Sequence, residues 1–125
     1  MDNAHDIVIV VEDDVSVRIS LARLFASVSV PYKMFASGED FLGNIDTTTS
    51  GFAIIDVHLP GMNGLDLQRI VAAKYPQLSV AIISAFEDAQ AEQRARASGA
   101  IAFLHKPFDP NALLELLKAP RAKTV

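Results

Sequence analysis

Phe52 to Gly64 reads FAIIDVHLPGMNG: four apolar residues, one turn-bound aspartate region, then a loop holding a proline and two glycines. A continuous apolar run this short, bounded by turn residues, reads as a strand buried on both faces. The loop then returns the chain to a helical pattern starting at Gly64, so the stretch is one strand–loop–helix unit. Pro60, Gly61 and Asn63 supply loop geometry, and Gly64 suits a helix that starts close to the strand end. Asp56 stands where the strand stops. Burying a carboxylate there without a partner costs roughly several kcal/mol, so the position asks for a cation.

The same unit recurs along the chain. Asp6–Val11 (DIVIVV), Val80–Ile83 (VAII) and Ile101–Leu104 (IAFL) are short apolar runs like Phe52–Ile55. Tyr32–Phe35 (YKMF) follows a proline and alternates polar with apolar, as an edge or near-edge strand does. Helical patterns fall between them. Asp14–Val28 carries Val17, Leu21, Leu24 and Val28 on one stripe, and Ser37–Leu42 opens with a capping serine. Gly64–Tyr75 repeats Leu65, Ile70 and Val71; Asp88–Ser98 is followed by Gly99; Pro110–Lys118 starts with a first-turn proline. Five βα units with right-handed crossovers give an α/β fold, a doubly wound parallel sheet with helices on both faces. One domain is expected over residues 1–118, with residues 119–125 a tail or the start of a linker.

Composition narrows the function. The chain has 125 residues, half of them hydrophobic, enough for one core. Its 15 acidic against 11 basic residues show no clustered basic face, so these residues are expected to make no direct nucleic-acid contact. With no cysteine there is no disulfide framework, thiolate metal site or cysteine nucleophile. No apolar run reaches the length of a membrane span, and MDNAHD is too polar for a signal peptide, so a cytoplasmic protein without a membrane partner is expected.

Open parallel sheets bind ligands outside the carboxyl ends of their strands. There the sequence places Glu12, Asp13 and Asp14 after the first strand, Asp56 at the end of the third, Ser84 at the end of the fourth and Lys106 after the fifth. Unit charges about 4 Å apart repel by about 4 kcal/mol at an effective dielectric near 20, against a total stability of about 5–15 kcal/mol. Lys106 supplies one compensating charge. Mg²⁺ suits the remainder, because it takes one or two carboxylates, keeps several waters and accepts phosphate oxygens. Asp56 beside such an ion is then placed to attack phosphorus, with Ser84 and Lys106 available to phosphoryl oxygens. Asp14 fits better as part of a solvated acidic run opening a helix, where the dipole favours acids.

IVVEDD, IIDVHLPGMNG, IISA and FLHKPF, in this order and spacing, resemble the receiver (CheY-like) domain of two-component response regulators. HLPGMNGLDL and LHKPFDPNALL are most similar to the FixJ-like branch. The resemblance spans about residues 6 to 118. It implies a flavodoxin-like (βα)5 sheet of order 2-1-3-4-5 and an aspartyl phosphate on Asp56 received from a sensor histidine kinase. It also implies that Glu12, Asp13, Asp56 and the main-chain carbonyl of His58 hold Mg²⁺, that Ser84 and Lys106 assist, and that Ser84 and Phe103 are switch residues. Glu12 departs from the commoner aspartate and is expected to reach the ion through water; Ser84 stands where threonine is commoner. Such a domain is a signalling module and no enzyme beyond its own phosphorylation and dephosphorylation. Homodimerisation on phosphorylation, and a DNA-binding domain later in a longer chain, are both compatible with it, with transcription as the expected output.

Rival readings fit the residues less well. A phosphatase using a strand-end aspartate would need a second acid two residues on, where His58 stands. A flavin carrier would need a phosphate-binding loop after the first strand, where EDDVSVR offers acids. A receiver fold used only for protein contacts would not need every chemical group to be present. For the kinase, the exposed side of Asp14–Val28 offers Val15, Ile19 and Ala22 as an apolar docking strip, with Arg18 and Phe108 at its rim.

Overall fold

A computed structural model describes residues 6–118; the expected tail at 119–125 lies outside the described residues, as do residues 1–5. Strands and helices alternate through the chain as β1 (Asp6–Val11), α1 (Val15–Ser27), β2 (Tyr32–Phe35), α2 (Gly38–Leu42) and β3 (Ser50–Asp56), then α3 (Gly64–Lys74), β4 (Leu78–Ser84), α4 (Ala89–Ala97), β5 (Ala102–His105) and α5 (Pro110–Lys118). All five strands pair in parallel in the order β2-β1-β3-β4-β5. From β1 the chain steps out to β2, then crosses back to β3 on the other side. The strand order therefore reverses between the carboxyl ends of β1 and β3, which is where a crevice opens in such sheets.

Alternation along the strands splits the core in two. Ile9, Val11, Ala53 and Ile55 face one side with Phe41 of α2, Leu65, Leu67 and Val71 of α3, and Ala91 and Ala95 of α4. Val8, Val10 and Ile54 face the other with Leu21 and Phe25 of α1 and Leu113 of α5. Burying one such leucine or phenylalanine contributes about 1.5–3 kcal/mol, so both faces of the central strands are needed to hold the sheet.

Three local readings change. The core stripe of α1 is centred on Leu21 and Phe25, with Val17 and Leu24 half-buried, whereas Val28 is 43% exposed at the C-cap. Phe25, one turn beyond Leu21, reaches deeper than a valine on the last turn can. In α3 the buried set is Leu65, Leu67, Gln68 and Val71, and Ile70 is half-buried. β5 begins at Ala102 and is a sheet edge; Leu104 is half-buried and His105 exposed, so this run is not covered on both faces like β1, β3 and β4.

Helix ends follow local chemistry. Asp14 caps α1 by accepting the N–H groups of Ser16 and Val17, and Ser37 caps α2 through the N–H of Asp40. At Gly64 any Cβ would lie 2.0 Å from the carbonyl oxygen of Asp56, so only glycine lets α3 start against the strand that carries the aspartate.

Candidate functional site

The sheet ladder extends one residue past the strand ends and fixes the bases of the site residues. The N–H of Glu12 donates to Phe35 O at 2.9 Å, that of Val57 to Ile83 O at 3.0 Å, and that of Lys106 to Ser84 O at 2.8 Å. From this frame Lys106 Nζ reaches 2.7 Å from Glu12 Oε1 and 3.2 Å from Asp56 Oδ2. Glu12 is wholly buried and Asp56 is 4% exposed, while Asp13 is open to solvent. One cation directly after β5 thus joins the acids at the ends of β1 and β3 across the reversal point. The Lys106–Pro107 peptide is cis.

Each acid is held from its own side. Glu12 Oε2 accepts the N–H of Asp14 at 3.1 Å, and the Glu12 carbonyl accepts Arg18 Nη1 at 2.7 Å. Asp56 Oδ1 accepts the N–H of His58 at 3.2 Å. Burial pushes the Glu12 carboxyl up to about 7; Lys106 and the Asp14 N–H oppose the rise, and the charge of Asp56 adds to it. For Lys106, burial works downward, but the close pairing with Glu12 and the charges of Asp56 and Glu12 outweigh it and hold the amine above its usual value. The lysine therefore stays charged while the glutamate is poised between its two forms.

Carboxylate oxygens of Glu12, Asp13 and Asp56 lie within 4.8 Å of one another. All donors are hard oxygens, Asp13 is open for waters, and the buried Glu12 Oε1 meets Lys106 as a close ion pair without an aligned hydrogen bond. These residues fit Mg²⁺, with few carboxylates and a solvated side.

The other expected residues are distributed less simply. The Ser84 hydroxyl is buried and engaged in a local turn, donating to Phe86 O and accepting the Phe86 N–H, both at 3.1 Å. Phe103 is 7% exposed, in the core cluster with Ile82 and Ala95. The imidazole of His58 packs edge-on to Phe86 with ring centroids 5.0 Å apart. Phe86 is itself 60% exposed. Val15 and Ile19 are exposed at 57% and 48%, and Ala22 is half-buried. Phe108 is half-buried. It lines a groove of about 700 Å³ on another flank of α1, with Val17, Leu21, Leu24 and Pro107.

The model of the response regulator receiver domain family matches residues 8–118. The chain belongs to this family. Among its relatives, the transcriptional regulatory protein TdiR of Thauera aromatica is 36% identical over 92% of this chain and 51% of its own length. Nodulation protein W of Bradyrhizobium diazoefficiens is 37% identical over 90% of the chain and 50% of its own length. The chain thus spans about half the length of these relatives. Among solved structures, FixJ-N superposes with a TM-score of 0.82 at 27% identity, covering 94% of this chain and 93% of that one. As a response regulator receiver, the chain is a signalling module of two-component systems with a CheY-like fold. Among the described residues, no helix is long and apolar enough to cross a membrane.

The raised Glu12 carboxyl has a consequence for stability. Between its ordinary value near 4.5 and about 7, the folded chain holds a proton that the unfolded chain has released. Raising the pH through that window therefore destabilises the metal-free fold, and above it the loss is complete. Urea unfolding in chelator from about pH 5 to about pH 7.5 should show wild type losing stability relative to Glu12→Gln, by a few kcal/mol at most (order of magnitude). Parallel pH profiles would contradict this electrostatic assignment.

Proposed function

We propose that this receiver takes a phosphoryl group onto Asp56 from the phosphohistidine of a sensor kinase. The observation that carries the reading is Lys106 between the buried carboxylates of Glu12 and Asp56 at the sheet reversal, with Asp13 beside them. An Asp56 oxygen forms a bond to phosphorus as the phosphorus–nitrogen bond breaks, and the imidazole leaves with the electron pair. Mg²⁺, held by Asp13 and Asp56, by the His58 carbonyl and through water by Glu12, would offset charge on the transferring phosphoryl oxygens. Lys106 turns from Asp56 Oδ2 to a phosphoryl oxygen, and the His58 N–H keeps the carboxylate oriented. Ser84 exchanges its two local bonds with Phe86 for one to the phosphoryl group. Phe103, packed beside Ala91 and Ala95, then senses the space that Ser84 leaves and relays it to the α4–β5–α5 face. The relatives' names support a transcriptional output, carried in a longer chain by a DNA-binding domain, with homodimerisation as the link.

The kinase would lie along α1. A helical bundle covering Val15, Ile19 and Ala22 brings a phosphohistidine to the crevice that begins at Glu12, with Phe108 on the other flank and Arg18 between them and the acid loop.

Two experiments test this. A small phosphodonor with Mg²⁺ should add one acid-labile phosphoryl group to the wild type and none to Asp56→Asn, read by intact mass; equal labelling of the variant would refute the assignment. Ile19→Glu should slow transfer from the cognate kinase by about tenfold or more, as for the loss of an anchor residue, while small-donor labelling stays unchanged. Unchanged kinase transfer would remove Ile19 from the docking site.

A further inference from the structure

Glu39 lies on α2, outside the acid cluster, yet its carboxylate reaches the loop between Asp56 and α3. Its Oε2 accepts the N–H of Met62, 23 residues further on, at 3.0 Å. The neighbouring Gly61 has φ 69°, and a Cβ there would meet Glu39 Oε2 at 2.7 Å and Oε1 at 3.2 Å. The carboxylate therefore occupies the space that the missing Cβ leaves. The start of α2 is close to the same loop through a second contact: a Cβ on Gly38 would lie 3.5 Å from Met62 Sδ and 3.4 Å from Leu67 Cδ2.

This loop carries His58, whose N–H fixes Asp56 and whose carbonyl belongs to the proposed metal site. Its two ends are pinned. At one end the His58 N–H meets Asp56 Oδ1, and at the other Gly64 N–H donates to Val57 O at 2.8 Å and Asn63 caps α3. The middle of the loop, from Pro60 to Asn63, is exposed or half-buried. A charge-assisted bond from another element is what orders its middle. An acidic residue in a helix's first turn is also favoured by the helix dipole, but that effect is indifferent to Met62.

We infer that Glu39 is a positioning residue for the metal site: by holding the middle of the loop, it keeps the His58 segment in its ion-binding arrangement. The inference rests on the proposed Mg²⁺ site. A loop that is ordered only part of the time binds its ion with an affinity reduced by that fraction. Glu39 would thus govern affinity for Mg²⁺ and leave the phosphoryl-transfer step alone.

The test uses the full chain, stripped of metal and titrated with Mg²⁺ while the backbone amide signals are followed. Amide exchange at Met62 is measured in the metal-free protein. Glu39→Ala should weaken Mg²⁺ binding about three- to tenfold and speed exchange at Met62, given the usual strength of a hydrogen bond to a charged group. Small-donor labelling at saturating Mg²⁺ should stay within about twofold of wild type, since only uniform binding is lost. Glu39→Gln keeps an acceptor oxygen and should restore both binding and protection. Gly61→Ala should displace the carboxylate and weaken binding, and adding Glu39→Ala to it should cost less than the product of the two losses. Wild-type affinity and Met62 protection in Glu39→Ala would overturn the inference while leaving the metal site standing. A wild type that binds no Mg²⁺ would overturn both.

Discussion

A single ammonium group, Lys106 Nζ, stands between two buried carboxylates that come from different strands. The rest of the site is arranged around that imbalance. The reversal of strand order brings the ends of β1 and β3 together, so Glu12, Asp13 and Asp56 converge whether or not their charges favour it. Breaking a buried ion pair by removing one partner typically costs about 3–5 kcal/mol, which makes Lys106 a structural necessity before it is a functional one. Because Lys106 follows directly on β5, an edge strand, the charge balance of the crevice is tied to one edge of the sheet.

The same ladder joins the crevice to the edge of the sheet. β4 and β5 pair from Ala81–Ala102 to Ser84–His105, and Lys106 N–H extends that ladder to Ser84 O. The strand beside that ladder carries Phe103 and His105, whose ring centroids lie 5.6 Å apart. The buried residues of α4 are Ala91 and Ala95, and its Ala95 carbonyl accepts Gln68 Nε2 from α3 at 2.8 Å. A helix anchored by two alanines and one side-chain bond has little buried area to lose when it shifts.

Much of this was legible in the sequence because it depends on local pattern. The bounds of β1, β2 and α5 follow from apolar runs, a preceding proline and a first-turn proline, and the Ser37 cap follows from side-chain chemistry, whereas Asp14 reads only as an acid at a helix start. The acid cluster and Lys106 were readable because parallel topology alone sends strand ends to one edge. Contacts between distant segments were not. Glu39 on Met62, Gln68 on Ala95 and His58 on Phe86 join residues far apart in the chain, and no periodicity marks them. Phe25 was passed over because the stripe was drawn through Val28, although a phenylalanine one turn after Leu21 buries more area than a valine at a helix end. β5 read as buried on both faces because its composition matches β4; the order 2-1-3-4-5 that the resemblance implies puts it at an edge, which composition alone does not carry.

The central claim is that the crevice holds more negative charge than Lys106 balances and takes one hard divalent cation in compensation. Calorimetric titration of the metal-free chain with Mg²⁺ tests it directly, with Asp13→Asn as the comparison. The account predicts one ion per chain in the wild type and binding lost or severely weakened in Asp13→Asn, whose side chain lies outside the Lys106 pair. No binding by the wild type, or equal binding by the variant, would contradict it.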